Sequence, residues 1–225
     1  MTEIVLTLDE VKKDFSQGEE VLNVLKGVDL NVSEGETIAI LGKSGSGKST
    51  LLSLLCGIDD ATSGNISYRS NSLKNLNSEE ITDLRAKHIG VVFQQFHLLE
   101  HLNAYENVLL PLEVNGNHDK KERVDYFLEK VGMSHRKSHF PNQLSGGEKQ
   151  RIAIARALVT HPGVLLADEP SGSLDENTGG EVMDLIFDIV RDERMSLVLV
   201  THDKDLAKRC EKIYHLENGV LSLED

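Results

Sequence analysis

The sequence has few cysteines, few basic residues and no long apolar run, and each shortage excludes a class of protein. Its two cysteines, Cys56 and Cys210, have no C-x-x-C spacing and lie on segments with helical patterns, so we expect buried free thiols. Lysine and arginine number 24 against 37 aspartates and glutamates, which gives a net charge of −13. Because an acidic chain without a basic patch repels polyphosphate backbones, we expect no nucleic-acid partner.

Membrane-spanning and targeting patterns are also missing. The apolar runs fall far short of the roughly 20 residues that span a bilayer. The N-terminal residues lack the basic start and the apolar core of a signal peptide. We therefore expect a cytoplasmic protein whose membrane role, if it has one, comes through a partner. The 225 residues, of which 39% are hydrophobic, suffice for one large packed α/β domain or two small ones.

A glycine-rich stretch, 42–50, dominates what is present. It has the form G-x-x-x-x-G-K-S, follows the β-branched run 37–41 and precedes a helical pattern at 49–56. Strand, glycine loop and helix together predict a phosphate-binding loop, in which backbone N–H groups and a helix N-terminus surround phosphate oxygens. We expect Lys48 to reach the β- and γ-phosphates and the Ser49 hydroxyl to bind Mg²⁺. The predicted phosphate loop comprises Gly42, Lys43, Ser44, Gly45, Ser46, Gly47, Lys48, Ser49 and Thr50.

Strand and helix patterns alternate along most of the chain, which predicts a parallel sheet with helical crossovers. Strands are expected at 3–8, 21–25, 28–32, 37–41, 65–68, 89–93, 164–167, 197–200 and in a hairpin at 214–223. Helices are expected at 49–56, 78–85, 103–110, 119–131, 146–158, 176–191 and 205–210. Short strands without helices open the chain, and a helical block interrupts the alternation. We therefore predict an antiparallel β subdomain at about 1–35 and 60–72, a core at about 36–59, 73–95 and 161–225, and a helical subdomain at about 96–160.

Polar side chains follow four of the predicted parallel strands, where ligands of such sheets bind. Besides the phosphate loop, these are Gln94, the pair Asp168 and Glu169, and His202. Each suits phosphoryl transfer to water, in which catalysis is mostly positioning and charge stabilisation. Asp168 would hold Mg²⁺ through water, Glu169 would act as general base, and His202 would donate to the γ-phosphate. Gln94 would contact both the metal and the attacking water.

The stretch 144–151, Leu-Ser-Gly-Gly-Glu-Lys-Gln-Arg, resembles the signature motif of ATP-binding-cassette (ABC) ATPases. The phosphate loop, Gln94, 165–169, 171–175 and His202 match the other motifs of that family in order, over nearly the whole chain. The resemblance implies a P-loop NTPase (RecA-like) fold, ATP hydrolysis with Mg²⁺, and a head-to-tail dimer with two ATP molecules between its chains. In that dimer, the residues that would bind ATP held by the other subunit are Ser145, Gly146, Gly147 and Asp175.

Phe15 alone could be a core or edge aromatic, but it falls where the family places its adenine-stacking ring. Tyrosine is commoner there, so stacking is kept while a phenol is lost. The segment 171–175, Ser-Gly-Ser-Leu-Asp, also departs from the frequent Thr-Gly-Asn-Leu-Asp, but it keeps Asp175.

Two stretches, 84–90 and 93–112, are similar to the lipoprotein-releasing and macrolide-exporter branch of the family (LolD/MacB type, with YbbA-like members), although Glu100 replaces a usual proline. This resemblance implies a MacB/LolC-type permease partner and a peripheral position on the inner face of the cell membrane. Its work would be export, lipoprotein release or a response to envelope stress or antimicrobial peptides. Phe96, Leu98 and Leu99 would line the groove for a cytoplasmic helix of the permease, or belong to the subdomain core.

Two other functions share these motifs. One is an ATP-switched regulator of a membrane partner without transport, of the cell-division or cell-wall type. The other is a nucleic-acid-associated ABC protein, which the acidic charge and the single cassette disfavour.

Overall fold

The computed structural model describes residues 3–18, 20–116 and 121–224, and the chain forms two compact units. The first unit comprises Met1–Arg85 and Ser196–Asp225, and the second comprises Ala86–Met195. Across the described ranges, no helix is both long and apolar enough to cross a membrane. The division into a β subdomain, a core and a helical subdomain stays a prediction.

An antiparallel sheet occupies the N-terminal part of the first unit. Its strands are β1 (Ile4–Gln17), β2 (Glu20–Ser33), β4 (Ser63–Tyr68) and β5 (Asn71–Ser72), in the order β2-β1-β4-β5. The prediction of separate strands at 21–25 and 28–32 is wrong, because β2 is continuous. Likewise β1 continues past residue 8, since an irregularity between Leu8 and Val11, with Glu10 at φ 50°, absorbs the break in alternation.

The first unit also carries four neighbouring strands of a mixed sheet, in the order β10-β9-β3-β8. Its centre is β3 (Thr37–Leu41), which runs parallel to β8 (Ser196–Thr201) and β9 (Lys212–Glu217), while β10 (Val220–Leu223) returns antiparallel to β9. The β9–β10 turn has Asn218 at φ 51° and Gly219 at φ 83°, as the Asn-Gly pair predicts.

Three helices accompany these strands: α1 (Lys48–Leu55), α2 (Ser78–His88) and α7 (Lys204–Ala207), with a 3₁₀ turn at Leu73–Asn75. Cys56 follows α1 and is buried, as expected. The prediction that Cys210 lies on a helix is wrong, because α7 ends at Ala207. Cys210 packs partly buried against Leu41 and Ala207, and this burial raises the pKa of its thiol to about 12.

The second unit has one parallel strand pair, β6 (Ile89–Val92) and β7 (Val164–Asp168). Its helices are α3 (Ala104–Val114), α4 (Glu122–Lys130), α5 (Gly146–Leu158) and α6 (Glu176–Asp192), with 3₁₀ turns at Ser134–Arg136 and Pro141–Gln143. The predicted start of the fourth helix, Asp119, lies outside the described residues. Helix α5 packs against α3, α4, α6 and β6, so it is the central element of this unit.

Candidate functional site

The phosphate loop folds tightly around its own lysine. The Lys48 ammonium donates to the carbonyl oxygens of Gly42 at 2.7 Å and Lys43 at 3.1 Å, and the side chain is nearly buried. A Cβ added to Gly42 would lie 2.5 Å from Ser46 Oγ and 2.8 Å from the carbonyl oxygen of Leu216, so only glycine fits there. The loop thus fixes the position of the Lys48 ammonium at the start of α1.

The start of α1 leaves hydrogen-bond donors to be satisfied. Gly47, in the left-handed conformation at φ 103°, precedes the helix, and no side chain caps it. The Ser46 hydroxyl is buried without a protein hydrogen-bond partner. Uncapped N–H groups, an unpartnered buried hydroxyl and a fixed ammonium fit a polyphosphate. The hydroxyl of Ser49, an exposed residue in the first turn of α1, suits a magnesium ion that also binds phosphate oxygens.

A cavity of about 470 Å³ opens beside the loop, which is within the range of small-molecule sites. It is lined by Leu22 and Asn23 of β2, by 43–46 of the phosphate loop and by the turn at Asn218 and Gly219. Phe15 pairs with Leu22 across the sheet and keeps 41% of its surface exposed. Its ring therefore stands next to a residue that lines the cavity, as a base-stacking ring requires.

Lys13 holds the Phe15 ring from one side. Its ammonium lies 4.8 Å from the centre of the ring, within the range of a cation–π contact. The same ammonium pairs with Asp59 at 2.7 Å and donates to the carbonyl oxygen of Asp60 at 2.8 Å. The hydrogen bond from Lys13 lowers the pKa of Asp59. No sequence motif pointed to this role of Lys13.

His202 starts from the same edge of the sheet as the phosphate loop. Leu41, the last residue of β3, pairs with Thr201, the last residue of β8, in parallel register. The two strands therefore end at the same edge of the sheet. The phosphate loop directly follows Leu41, and His202 directly follows Thr201. The first unit thus brings His202 to the level of the phosphate loop, and Phe15 to the cavity beside that loop.

Gln94, Asp168 and Glu169 likewise share one edge in the second unit. Val92 of β6 pairs with Ala167 of β7 in parallel register, two residues before Gln94 and one before Asp168. Glu169 has φ 42°, an unusual backbone for a non-glycine residue and one that clusters at functional sites. The turn after it closes with the N–H of Gly172 donating to the Glu169 carbonyl oxygen at 2.9 Å.

Gly172 also lets the Gln94 side chain approach that turn. A Cβ on Gly172 would lie 2.9 Å from Gln94 Nε2. The amide therefore rests against the backbone that follows Glu169.

The signature motif opens α5 with a full capping box, which its Ser-x-x-Glu spacing favours. The Glu148 N–H donates to Ser145 Oγ at 3.3 Å, and the Ser145 N–H donates to Glu148 Oε2 at 2.8 Å. That backbone bond lowers the pKa of Glu148, and Arg136 contributes through a contact of 3.0 Å. Ser145 and Gly146 are exposed, so this helix start faces outward from its unit.

Asp175 lies at the start of α6 and is exposed. Its carboxylate accepts the Thr178 N–H at 3.1 Å, and hydrogen bonds from Thr178 lower its pKa. Added Cβ atoms on Gly146 and Gly147 would lie 3.2 Å from Leu174 Cδ2 and 2.5 Å from Thr178 Cγ2. The segment before Asp175 therefore packs directly on the first turn of α5.

Two residues of α5 make contacts that the sequence analysis missed, Gln150 and Arg156. Gln150 donates to the backbone carbonyl group of Phe93, before Gln94. Arg156 donates to those of Phe96 and His97, after Gln94. A signal existed for Gln150, because it lies four residues before Ile154 on the buried face of the helix, where a polar residue needs a partner.

Comparison with known proteins identifies the family to which this chain belongs. Residues 25–172 match the family model described as "ABC transporter", which is well over half of the chain. The chain belongs to the ABC transporter family. The predictions of an ABC ATPase that uses ATP and Mg²⁺ are confirmed at this level, with the chain as an ATP-binding subunit.

Individual relatives cover nearly all of this ABC chain. It is 47% identical to the ABC transporter ATP-binding protein YbbA of Escherichia coli K12 over 99% of this chain and 98% of that protein. It is 44% identical to the lipoprotein-releasing system ATP-binding protein LolD of Bdellovibrio bacteriovorus, over 93% of this chain and 96% of the relative. The chain is thus LolD- and YbbA-like.

Solved ABC structures confirm the predicted α/β P-loop fold. A dimeric, post-hydrolysis state of the ATP-binding cassette MJ0796 bound to ADP and Pi has a TM-score of 0.88 at 38% identity and covers 98% of each chain. A second dimeric MJ0796 structure has a TM-score of 0.89 at 39% identity, also over 98% of each chain.

Proposed function

We propose that this ABC ATPase works as a head-to-tail dimer that encloses two ATP molecules and powers a permease of the MacB/LolC type. The observation that carries the proposal is the exposed start of α5, where Ser145 and Gly146 face outward from their own unit. An exposed helix start with two glycines suits a phosphate brought by another molecule. The structures of the MJ0796 cassette are described as dimeric, which supports a dimer.

In the proposed site, the ATP held by one chain is bound chiefly by its phosphate loop. The Lys48 ammonium neutralises oxygens of the β- and γ-phosphates, and the N–H groups at the start of α1 donate to them. The Phe15 ring stacks on adenine. Ser49, Gln94 and Asp168 would hold Mg²⁺, with Asp168 acting through water, and the ion would neutralise negative charge on the phosphates.

Glu169 takes the proton of the attacking water as general base. His202 donates to the γ-phosphate, and Gln94 orients the water. The partner chain completes the site with the Ser145 hydroxyl and the N–H groups of Gly146 and Gly147. Asp175 contributes across the same proposed interface.

The permease contact is proposed for the segment after Gln94. Phe96 and Leu98 are half-buried and Leu99 is 38% exposed, so none of the three is fully buried in the core of its unit. Apolar side chains left partly exposed on one short segment suit a docking helix. The LolD relatives are named as the ATP-binding part of a lipoprotein-releasing system, which supports a membrane partner. With that partner, the chain would lie on the inner face of the cell membrane.

Replacing Glu169 tests the proposal. Glu169→Gln removes the base but keeps a polar side chain of the same size, so ATP hydrolysis should fall roughly 10²–10⁴-fold while ATP binding persists. ATP should then hold the variant as a dimer, measured by light scattering after size exclusion. The matched control is Glu181→Gln on α6, which removes an exposed carboxylate paired with Arg151. Hydrolysis at the wild-type rate in Glu169→Gln would contradict the assigned base, and a strictly monomeric variant at saturating ATP would contradict the assembly.

A further inference from the structure

We propose that Gln150 is a positioning residue that ties the start of α5 to the two loops that carry Gln94 and Glu169. The inference rests on the roles proposed above for those two residues. If it holds, a phosphate bound at Ser145 is sensed by the hydrolytic groups of the same chain through one buried amide.

The amide nitrogen of Gln150 joins two loops at once. It donates to the carbonyl oxygen of Pro170 at 2.6 Å and to that of Phe93 at 3.2 Å. Pro170 directly follows Glu169, and Phe93 directly precedes Gln94. Because Gln150 is 0% exposed, water does not compete for these bonds. One side chain therefore sets the spacing between the backbones that carry both groups.

The chemistry at this position demands an amide. Its Oε1 atom is buried without a hydrogen-bond partner, whereas Nε2 uses both of its N–H groups. Turning the amide over would point an oxygen at two carbonyl oxygens, so the orientation is unambiguous. Methionine lacks donors and glutamate would bring a carboxylate to two acceptors. Gln150 Oε1 thus remains a buried acceptor without a partner, while both N–H groups of Nε2 are used at one point.

Arg156 provides a second hold on the same loop. Its guanidinium donates to the carbonyl oxygens of His97 at 2.6 Å and Phe96 at 2.8 Å. Residues 93 and 96–97 are therefore bound to α5 on both sides of Gln94. Since a helix is stiff over this length, a displacement at Ser145 would be passed to Gln150, five residues further along, and then to both loops.

The test is the variant Gln150→Met, which keeps the length and loses both donors. The kcat for ATP should fall about 10–100-fold while the KM and the affinity for a fluorescent ATP analogue change less than about threefold, because misplacing reacting groups by an ångström costs that much rate. An unchanged kcat would overturn the inference. If Gln150→Met does not fold, Gln150→Asn, whose amide is one methylene too short to reach both carbonyls, replaces it with the same expectation.

The matched control is Asn107→Leu, because Asn107 is another buried amide in the same unit. Asn107 is 0% exposed and bonds Leu99, Leu102 and Asn103, at the far end of the loop that carries Gln94, but it bonds neither Phe93 nor the turn after Glu169. It should lower the melting temperature without lowering kcat at a temperature where it is folded. An equal fall in kcat for both variants would mean that Gln150 acts only through stability, and would overturn the inference.

A double-mutant cycle tests the link to Ser145. If the signal passes through Gln150, Ser145→Ala should lower kcat at least about threefold less in the Gln150→Met background than in the wild type. Fully additive effects would overturn the coupling. Glu169→Gln is measured in parallel: wild-type hydrolysis there means that the proposed function has failed, whereas its loss together with a normal Gln150→Met means that only this inference has failed.

Discussion

The two glycine-flanked helix starts of this protein, at α1 and α5, look alike in sequence but differ in how their donors are satisfied. Gly47 precedes α1 in a left-handed conformation, no side chain caps that helix, and Lys48 lies in its first turn. Ser145 caps α5 instead, with Glu148 completing the box. The first start has donors and a cation ready for an anion, whereas the second is already partly satisfied by its own side chains.

This difference indicates a division of labour. A helix start with free donors and a lysine binds polyphosphate strongly by itself. A capped start that carries a carboxylate binds an anion weakly, and it contributes only when another part of the ligand is already held. The phosphate loop should therefore set the affinity for ATP, and the signature motif should respond to ATP that is already bound elsewhere.

The largest effect should come from removing the cation of the first start. Lys48→Ala loses the ammonium that the Gly42 and Lys43 carbonyl groups hold in place, so ATP binding should weaken about 100-fold or more. Titration with a fluorescent ATP analogue measures it, and Lys74→Ala, an exposed lysine of the first unit, is the control. Affinity within threefold of wild type would show that the loop does not bind phosphate.

The next largest effect should separate the glycines of the two starts. Gly47→Ala places a Cβ at φ +103° and 3.2 Å from both Leu25 and Val24, so it should cost about 2 kcal/mol and lower the melting temperature by roughly 4–8 °C. Gly146→Ala places a Cβ 3.2 Å from Leu174 and 3.8 Å from Phe96 without positive φ, and it should cost under about 1 kcal/mol. Calorimetry decides, and equal shifts would mean that the backbone of Gly47 is not strained by a side chain.

A smaller effect is expected from the cap of the second start. Ser145→Ala removes a cap whose bond is long, 3.3 Å, so the unfolding free energy should fall by about 1 kcal/mol or less. Steady-state ATPase activity should fall roughly tenfold in kcat, while binding of the ATP analogue to the monomer stays unchanged. Weaker binding of the ATP analogue to the monomer would mean that Ser145 contacts the ATP held by its own chain, which contradicts the proposal.

The smallest effect should come from the carboxylate at the second start. Glu148→Gln keeps the capping geometry and removes a negative charge, so ATP-driven dimerisation of the Glu169→Gln background should tighten a few-fold, and the gain should shrink as salt rises. The pKa of Glu148 lies below its ordinary 4.5, so the carboxylate stays charged above that pH and the gain should be constant from pH 6 to 8. Sedimentation measures the dimer, and a gain that varies across that range would point to another group.

Much of the fold follows from local patterns. The strands β3, β7 and β8, the capping box of α5 and the Asn218–Gly219 turn lie where periodicity and turn chemistry predict them. The lengths of some helices and strands do not follow from these local patterns. Helix α3 continues to Val114 through Pro111, because packing on α5 outweighs the local preference to stop. β1 and β2 are each longer than predicted, because an irregular register keeps them paired through a break in alternation.

The motifs of the phosphate loop and the signature, and the polar residues that end the strands, are local in the chain, so the residue order alone sufficed to predict the family and the chemistry. The links among them are not local. That Lys13 supports the Phe15 ring, that Gly172 admits the Gln94 amide, and that Gln150 joins the loops at Phe93 and Pro170 depend on chain segments distant in sequence. Such contacts depend on which buried polar groups meet once the strands and helices have packed, and only the folded chain decides that.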